Sequence, residues 1–369
     1  MKNFLFSNCI LIQNRLFAEG ILGGIPVLMD FDSGIIDVCS LGNRFVIPIK
    51  NTVVDYFDSF ENKVYALDSG EDQLVIWDLE KKSCHAVFLG CSHKTWINFA
   101  ALERVEQNYY IFPKYENRVL IYHMDTNEIT ETLGDWEIKE IQCTCRVNNS
   151  VWILPKDSDV MYCYDLDERK SRVYNLRKLL QNCVHAIYHD GCIYILNMCG
   201  EIYQWDIDKT ELKEITCLET ICNEIEYMSR IVYAGNKLIL LPAYGENIYI
   251  VDMATGQAEI YRAYPDDFYY YHTGWLKYYG YCENKEYYYF ALCAGNYLLK
   301  IEKVSGELIW IKPKIDLLGG RIIDHMMDKV ICESKLELVD LFHIKPVNRS
   351  ANNKKYFGKE IYNRIGEIL

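Results

Sequence analysis

The chain has 369 residues, half of them apolar and a quarter charged, with a formal net charge of −13 from 39 basic and 52 acidic side chains. These are the proportions of a folded globular protein with ample material for a core, and they exclude a largely disordered chain. No basic run exceeds two or three residues and no apolar run reaches the length of a membrane span, so nucleic acid and membrane insertion are both disfavoured.

The N-terminal stretch Met1 to Ile12 has one lysine, an apolar run broken by polar residues and no small-residue cleavage site, and reads as a first strand rather than a secretion signal. From Asn14 to Asp340 one hairpin pattern recurs about eight times. Each copy is an apolar run often ending in proline, a short polar loop, and a second apolar run closing on an acidic or polar residue. Clear copies run from Tyr109 to Pro113 with Val119 to His123, from Val151 to Pro155 with Val160 to Asp165, and from Leu238 to Pro242 with Ile248 to Asp252. The closing residues Asp30, Asp78, His123, Asp165, Asp206, Asp252, Glu302 and Asp340 stand roughly 38 to 50 residues apart, the length of one four-stranded propeller blade. Turns such as Asp32-Ser33-Gly34, Ala254-Thr255-Gly256 and Val304-Ser305-Gly306 follow several of them.

Helical spacing is almost absent; Lys178 to Cys183 is the main internal exception. The fold class expected is therefore all-β: a β-propeller of eight blades, alternatively seven, each a four-stranded antiparallel sheet, spanning residues 1–346. Arg44 to Ile49 adds an unassigned strand-like run. After Pro346 a polar stretch leads to Phe357, Ile361, Ile365 and Ile368 at helical spacing, so residues 347–369 read as a helical tail that packs on the propeller or docks to a partner or second subunit.

On Trp77-Asp78-Leu79, Tyr164-Asp165-Leu166, Trp205-Asp206-Ile207 and Val251-Asp252-Met253, the chain resembles the broad kelch-like, WD-like and quinoprotein-like propeller superfamily over about residues 4 to 345. The double glycines of kelch repeats and the Gly-His to Trp-Asp spacing of WD repeats are missing. Ala254-Thr255-Gly256 and the run from Val304 to Trp310 look like quinoprotein repeats, but the other copies do not, so the resemblance implies the architecture and no cofactor.

In such a propeller the loops from second to third strand, and from each outer strand to the next blade, share one face. That face would carry Asp68–Asp72, Lys114–Arg118, Lys156–Asp159, Asn197–Gly200 and Ala243–Asn247. Two connections place a histidine three residues before a tryptophan: His93 with Trp96, and His272 with Trp275 beside Tyr271. With Lys114, Tyr115, Lys156, Asp157 and Tyr244 they are the expected ligand-binding residues, offering stacking surfaces and polar groups to a sugar ring or a peptide.

Glu71, Asp72, Glu116, Asp157, Asp159, Glu246, Asp266 and Asp267 supply carboxylates to the same face, the raw material of a glycosidase pair. Nucleophile elbows, phosphate loops and Cys-x-x-Cys motifs are absent. His185 and His189 fall in a strand-like run, too far apart for one zinc. Fifteen scattered cysteines, mostly inside apolar runs, suit reduced thiols in the cytoplasm, and the Lys, Asn, Ile and Tyr bias suits a low-GC bacterial source. The expectation is a cytoplasmic, non-enzymatic propeller that binds a peptide, protein or glycan on its loop face. The alternative is a carbohydrate-active enzyme, glycosidase or lyase, with carboxylates in the central pocket.

Overall fold

The apolar runs are rich in β-branched and aromatic side chains, which suit a pleated strand covered on both faces. The computed structural model describes residues 6–12, 15–20, 26–30, 35–37, 54–81, 83–92, 97–217, 227–268, 276–278, 280–292, 296–312 and 314–315. Its first sheet holds β1 (Phe6–Ile12), β2 (Arg15–Gly20), β3 (Pro26–Asp30) and β4 (Ile35–Asp37) in antiparallel order, with β29 (Lys314–Ile315) added parallel to β4.

Six four-stranded antiparallel blades follow. The first is β5 (Val54–Phe60), β6 (Lys63–Asp68), β7 (Gln73–Asp78) and β8 (Ser83–Phe88), and the second is β9 (Phe99–Val105), β10 (Asn108–Pro113), β11 (Arg118–His123) and β12 (Glu128–Leu133). The third is β13 (Ile141–Val147), β14 (Ser150–Pro155), β15 (Ser158–Asp165) and β16 (Lys170–Leu180), and the fourth is β17 (Cys183–His189), β18 (Cys192–Asn197), β19 (Glu201–Asp206) and β20 (Glu211–Cys217). The fifth is β21 (Met228–Ala234), β22 (Lys237–Pro242), β23 (Ile248–Asp252) and β24 (Ala258–Tyr261), and the sixth is β25 (Gly280–Glu283), β26 (Tyr287–Ala291), β27 (Leu298–Glu302) and β28 (Leu308–Ile311). The inner strands lie side by side from β1 through β5, β9, β13 and β17 to β21, and β1 also meets β25. The result is a β-propeller whose five-stranded sheet sits between the first and sixth four-stranded blades.

The blade count expected from the hairpins, eight or alternatively seven, is corrected to six four-stranded blades. Asp78, His123, Asp165, Asp206, Asp252 and Glu302 close the third strands of those six. Asp30 closes β3 of the five-stranded sheet, so the N-terminal strands do not complete the last blade, while Asp340 lies outside the described residues. Arg44 to Ile49 and the 347–369 tail lie outside them too. No helix occurs among the described residues; the stretch with helical spacing after Lys178 completes β16 and turns at Asn182 into β17.

Burial explains the stacking. The second strands β6, β10, β14, β18 and β22 each bury their last five residues on both faces, because a neighbouring blade covers each side. Apolar clusters fill the spaces between successive blades. Tyr65 and Ile76 meet Tyr109 and Ile111 between the first two, and Trp152 and Leu176 meet Ile193 and Trp205 between the third and fourth. Burying such side chains stabilises by roughly 1.5–3 kcal/mol each. Tyr65, Tyr109, Tyr122, Tyr164, Tyr249 and Tyr278 are all fully buried, so much of the tyrosine excess is core.

The prolines have a specific place. Pro113, Pro155 and Pro242 pair with Phe99, Ile141 and Met228, the first residues of their blades' inner strands, and in each pair the register slips by one residue immediately afterwards. The same bulge occurs where β5 meets β6 and where β17 meets β18. A proline has no N–H to lose, and the bulge interrupts the ladder where that N–H would have been used.

The acidic closers cap the outer turns. Asp165 Oδ1 accepts from the N–H groups of Asp167 and Glu168 at 2.9 Å, and Asp252 Oδ1 accepts from Ala254 and Thr255 at 2.9 and 2.8 Å. Four residues beyond the closer the backbone turns left-handed, at Asn127, Arg169, Thr210, Gly256 and Gly306. Thr210, at φ 53°, is β-branched where glycine fits best. Thr210→Gly should raise the unfolding free energy by about 1 kcal/mol in urea titrations. Gly235 is the opposite case: at φ 59° its added Cβ would collide with Ser305 O of the next blade, so Gly235→Ala should lower the melting temperature.

Candidate functional site

The loops expected to share a face do so, and the backbone shows how. The N–H after each proline reaches the carbonyl just before the inner strand of its own blade: Lys114 to Asn98 at 2.7 Å, Lys156 to Glu140 at 3.0 Å and Ala243 to Tyr227 at 2.6 Å. Met198 makes the same bond to Asn182 at 2.8 Å. The carbonyls of Lys114, Met198 and Ala243 then accept from Ile141, Met228 and Lys277 of the next blade at 2.8, 2.8 and 2.7 Å. These bonds form a belt around the inner rim of the loop face.

On that belt the structure joins two of the expected site residues. Glu140 bridges Lys114 at 3.2 Å and Lys156 at 3.0 Å, and the Lys114 ammonium lies 5.6 Å from the Tyr115 ring centre. Burial alone would raise the Glu140 carboxyl, but the hydrogen bond from Lys156 and the charge of Lys114 outweigh it and hold it below its ordinary value. Asp157 is exposed beside them in a left-handed turn at φ 48°. Tyr244 is exposed on the fifth blade, with the fourth blade between it and this group. His93, Trp96, Tyr271, His272 and Trp275 lie outside the described residues.

Several carboxylates of this face are consumed by the fold. Asp68 accepts from Gly70 N–H at 2.9 Å and from Gln73 Nε2 at 2.9 Å, and Asp72 accepts from Cys91 N–H at 2.7 Å. Glu116 accepts from Ser92 N–H and Arg118 Nε, both at 2.5 Å; burial pushes its carboxyl up, yet these donors bring it below its ordinary value. Asp267 accepts from Tyr297 at 2.6 Å and pairs with Lys312. The aromatic stretch around Phe268 is likewise occupied. The buried Lys277 donates to Gly245 O at 3.1 Å, with the rings of Phe268, Tyr278 and Tyr264 at 5.2, 5.6 and 5.9 Å.

A second polar group lies on the inner strands. Asp58 of the first blade pairs with Arg104 of the second at 3.7 Å, and Glu103 of the second pairs with Arg146 of the third at 3.9 Å. Register explains the repeat: Asp58 and Glu103 face Tyr65 and Tyr110, and each arginine sits one register position later on the next blade. Tyr109 donates to Asp58 at 2.9 Å. On the fourth blade His185 contacts the Ile231 backbone of the fifth at 3.1 Å, with the Tyr281 ring of the sixth 6.2 Å away. Burial first, then the charge of Arg230, drive the His185 imidazole down to about 3, so it is neutral. His189, four residues along the same strand, stacks instead on Tyr233 at 3.7 Å. Sequence reasoning missed Glu103 and Arg146, because only strand register brings them together.

No family model matches this chain, and no curated protein does. Solved structures do share its fold. A catalytically inactive virginiamycin B lyase from Staphylococcus aureus, solved with quinupristin, is 12% identical at a TM-score of 0.59, covering 81% of this chain and 94% of that one. The computationally designed Ika8 protein is 11% identical at 0.54, covering 83% and 86%. PorZ, of the type-IX secretion system of Porphyromonas gingivalis, is 11% identical at 0.55, covering 86% of this chain and 39% of that one. At these identities the likeness is one of fold alone.

Burial pushes the Glu103 carboxyl from its ordinary 4.5 up to about 7, with Arg146 opposing the rise and Asp58 adding to it. Its folded value lies above the unfolded one, so its contribution to stability is complete below about pH 4.5 and is lost as pH rises through about 7. Urea unfolding across that window should show a fall on the order of 3 kcal/mol from this group. Glu103→Gln should flatten that part of the profile; a variant whose profile parallels the wild type contradicts the assignment.

Proposed function

We propose that this chain is a non-enzymatic binding or scaffold propeller that holds a peptide, protein or glycan on its loop face. The observation that carries this reading is the fate of the charged groups there. Asp68, Asp72 and Glu116 satisfy backbone donors, and Glu140 neutralises one of two lysines, which leaves a rigid mixed-charge surface rather than a poised acid and base. The Lys114, Glu140 and Lys156 bridge with Tyr115 supplies polar groups next to an aromatic face, a combination that suits either a sugar ring or a peptide.

The proposal places the protein in the cytoplasm, a reading supported by nine cysteines that are thiols among the described residues. It includes no nucleic-acid or membrane partner, in keeping with the net charge of −13. The 347–369 tail is proposed as a place where a partner or second subunit docks.

A second reading, a carbohydrate-active glycosidase or lyase, is favoured by one observation. Glu103, raised to about 7, and Asp58 are neighbouring carboxylates on the inner strands, and unequal carboxyl groups are the working parts of sugar chemistry.

Screening immobilised peptides and glycans with the wild type and with Lys114→Ala/Lys156→Ala separates the two. The binding reading expects about a tenfold loss of affinity in the double variant with an unchanged melting temperature. Undiminished binding by that variant, or glycoside turnover abolished by Glu103→Gln, would sink it.

A further inference from the structure

A groove of about 570 Å³ opens between the second and third blades, at the outer end of their connection. One wall is the link from β12 to β13, with Gly134, Asp135, Trp136 and Glu137; the other is Tyr162 of β15 with Ser171 and Val173 of β16. Among the described residues its charged lining consists of two exposed carboxylates, and no basic side chain lines it. Lys170 and Arg172 alternate with Ser171 and Val173 along β16, so their side chains leave from the opposite face of the strand. The link is pinned where Ser171 Oγ donates to Asp135 O at 3.1 Å.

The aromatic lining is built rather than incidental. Trp136 is 4% exposed, with the rings of Tyr164 and Tyr162 at 5.5 and 6.5 Å. Its indole lies directly over Gly134, where any Cβ would overlap Cε2, Cζ2 and Cδ2. The indole N–H is buried and has no acceptor among the described residues. Leu133 and Val173 beside it are 79% and 61% exposed.

Carboxylates at the rim attract a cation, and the part-exposed Tyr162 ring offers it an aromatic neighbour. We propose that this groove binds a basic peptide segment. An arginine or lysine side chain lies between Asp135 and Glu137 beside the Tyr162 ring, and apolar neighbours rest on Leu133 and Val173. Among the described residues the outer strand β16 pairs on one side only, and an extended segment can run along its other edge. The inference rests on the loop-face reading and gives it a site and a ligand class.

The test is fluorescence anisotropy with a labelled, end-blocked pentapeptide that has arginine between valines, against the same peptide with uncharged citrulline. The wild type should bind the arginine peptide at least about tenfold more tightly. Asp135→Asn/Glu137→Gln should erase that preference with melting unchanged, and Gly134→Ala, by displacing the indole, should weaken both peptides. Glu80→Gln/Glu259→Gln removes the same charge from exposed sites elsewhere and should change nothing. Equal affinity for the two peptides, no binding at all, or equal losses in the two charge-removing doubles would overturn the proposal. If Lys114→Ala/Lys156→Ala abolishes binding of a screened ligand while Asp135→Asn/Glu137→Gln leaves it intact, the loop-face reading stands and the groove inference fails.

Discussion

The rest of the structure depends on how the second strand is tied to the inner rim, a bond made in the second to fifth blades. The N–H after that strand bonds to the carbonyl preceding its own inner strand, and in several blades its carbonyl accepts from the next blade. The bulge that follows interrupts the ladder, and the prolines occupy the pairing position beside it. Apolar packing between blades supplies most of the stability, but it is non-directional and leaves the loops free to differ. The belt is directional. It fixes where Lys114 and Lys156 leave the rim, and so allows one carboxylate, Glu140, to hold both.

From that constraint follows a division between the inside and outside of the ring. Around the axis, charges pair from blade to blade, Asp58 with Arg104 and Glu103 with Arg146, and His185 is kept neutral against the Ile231 backbone. These groups are half-buried and mutually engaged, which suits a polar core that orients the inner strands. Towards the outside, the link from β12 to β13 is short and pinned at Asp135, yet it leaves Leu133, Glu137 and the face of Val173 exposed. One scaffold thus separates groups spent on the fold from groups left exposed at its surface.

Much of this order was legible in the sequence because it is local. Pro113, Pro155 and Pro242 marked strand ends, and Asp78, Asp165, Asp206 and Asp252 marked the third strands, since both roles depend on a residue's own backbone or on turn amides two or three positions away. Their reasons were not legible: the bulge opposite each proline is a property of two paired strands. The blade number failed because Asp30 has the same local signature as the six true closers but ends a strand of the five-stranded sheet. The bridge through Glu140 and the pairing of Glu103 with Arg146 cross from blade to blade, so spacing alone did not reveal them. The one cue for the groove was Gly134 two residues before Trp136, a glycine whose missing side chain makes room for the indole.

Amide hydrogen exchange, read residue by residue, tests the belt most directly. The N–H groups of Lys114, Lys156, Met198 and Ala243 stand at the entrances to loops, where amides ordinarily exchange fast. If the belt holds the loop face, these four exchange as slowly as the amides of the buried second strands, and open only with them. Exchange at the rate of the neighbouring loop amides would contradict the account, because the loops would then be carried by the blades without being fixed by them.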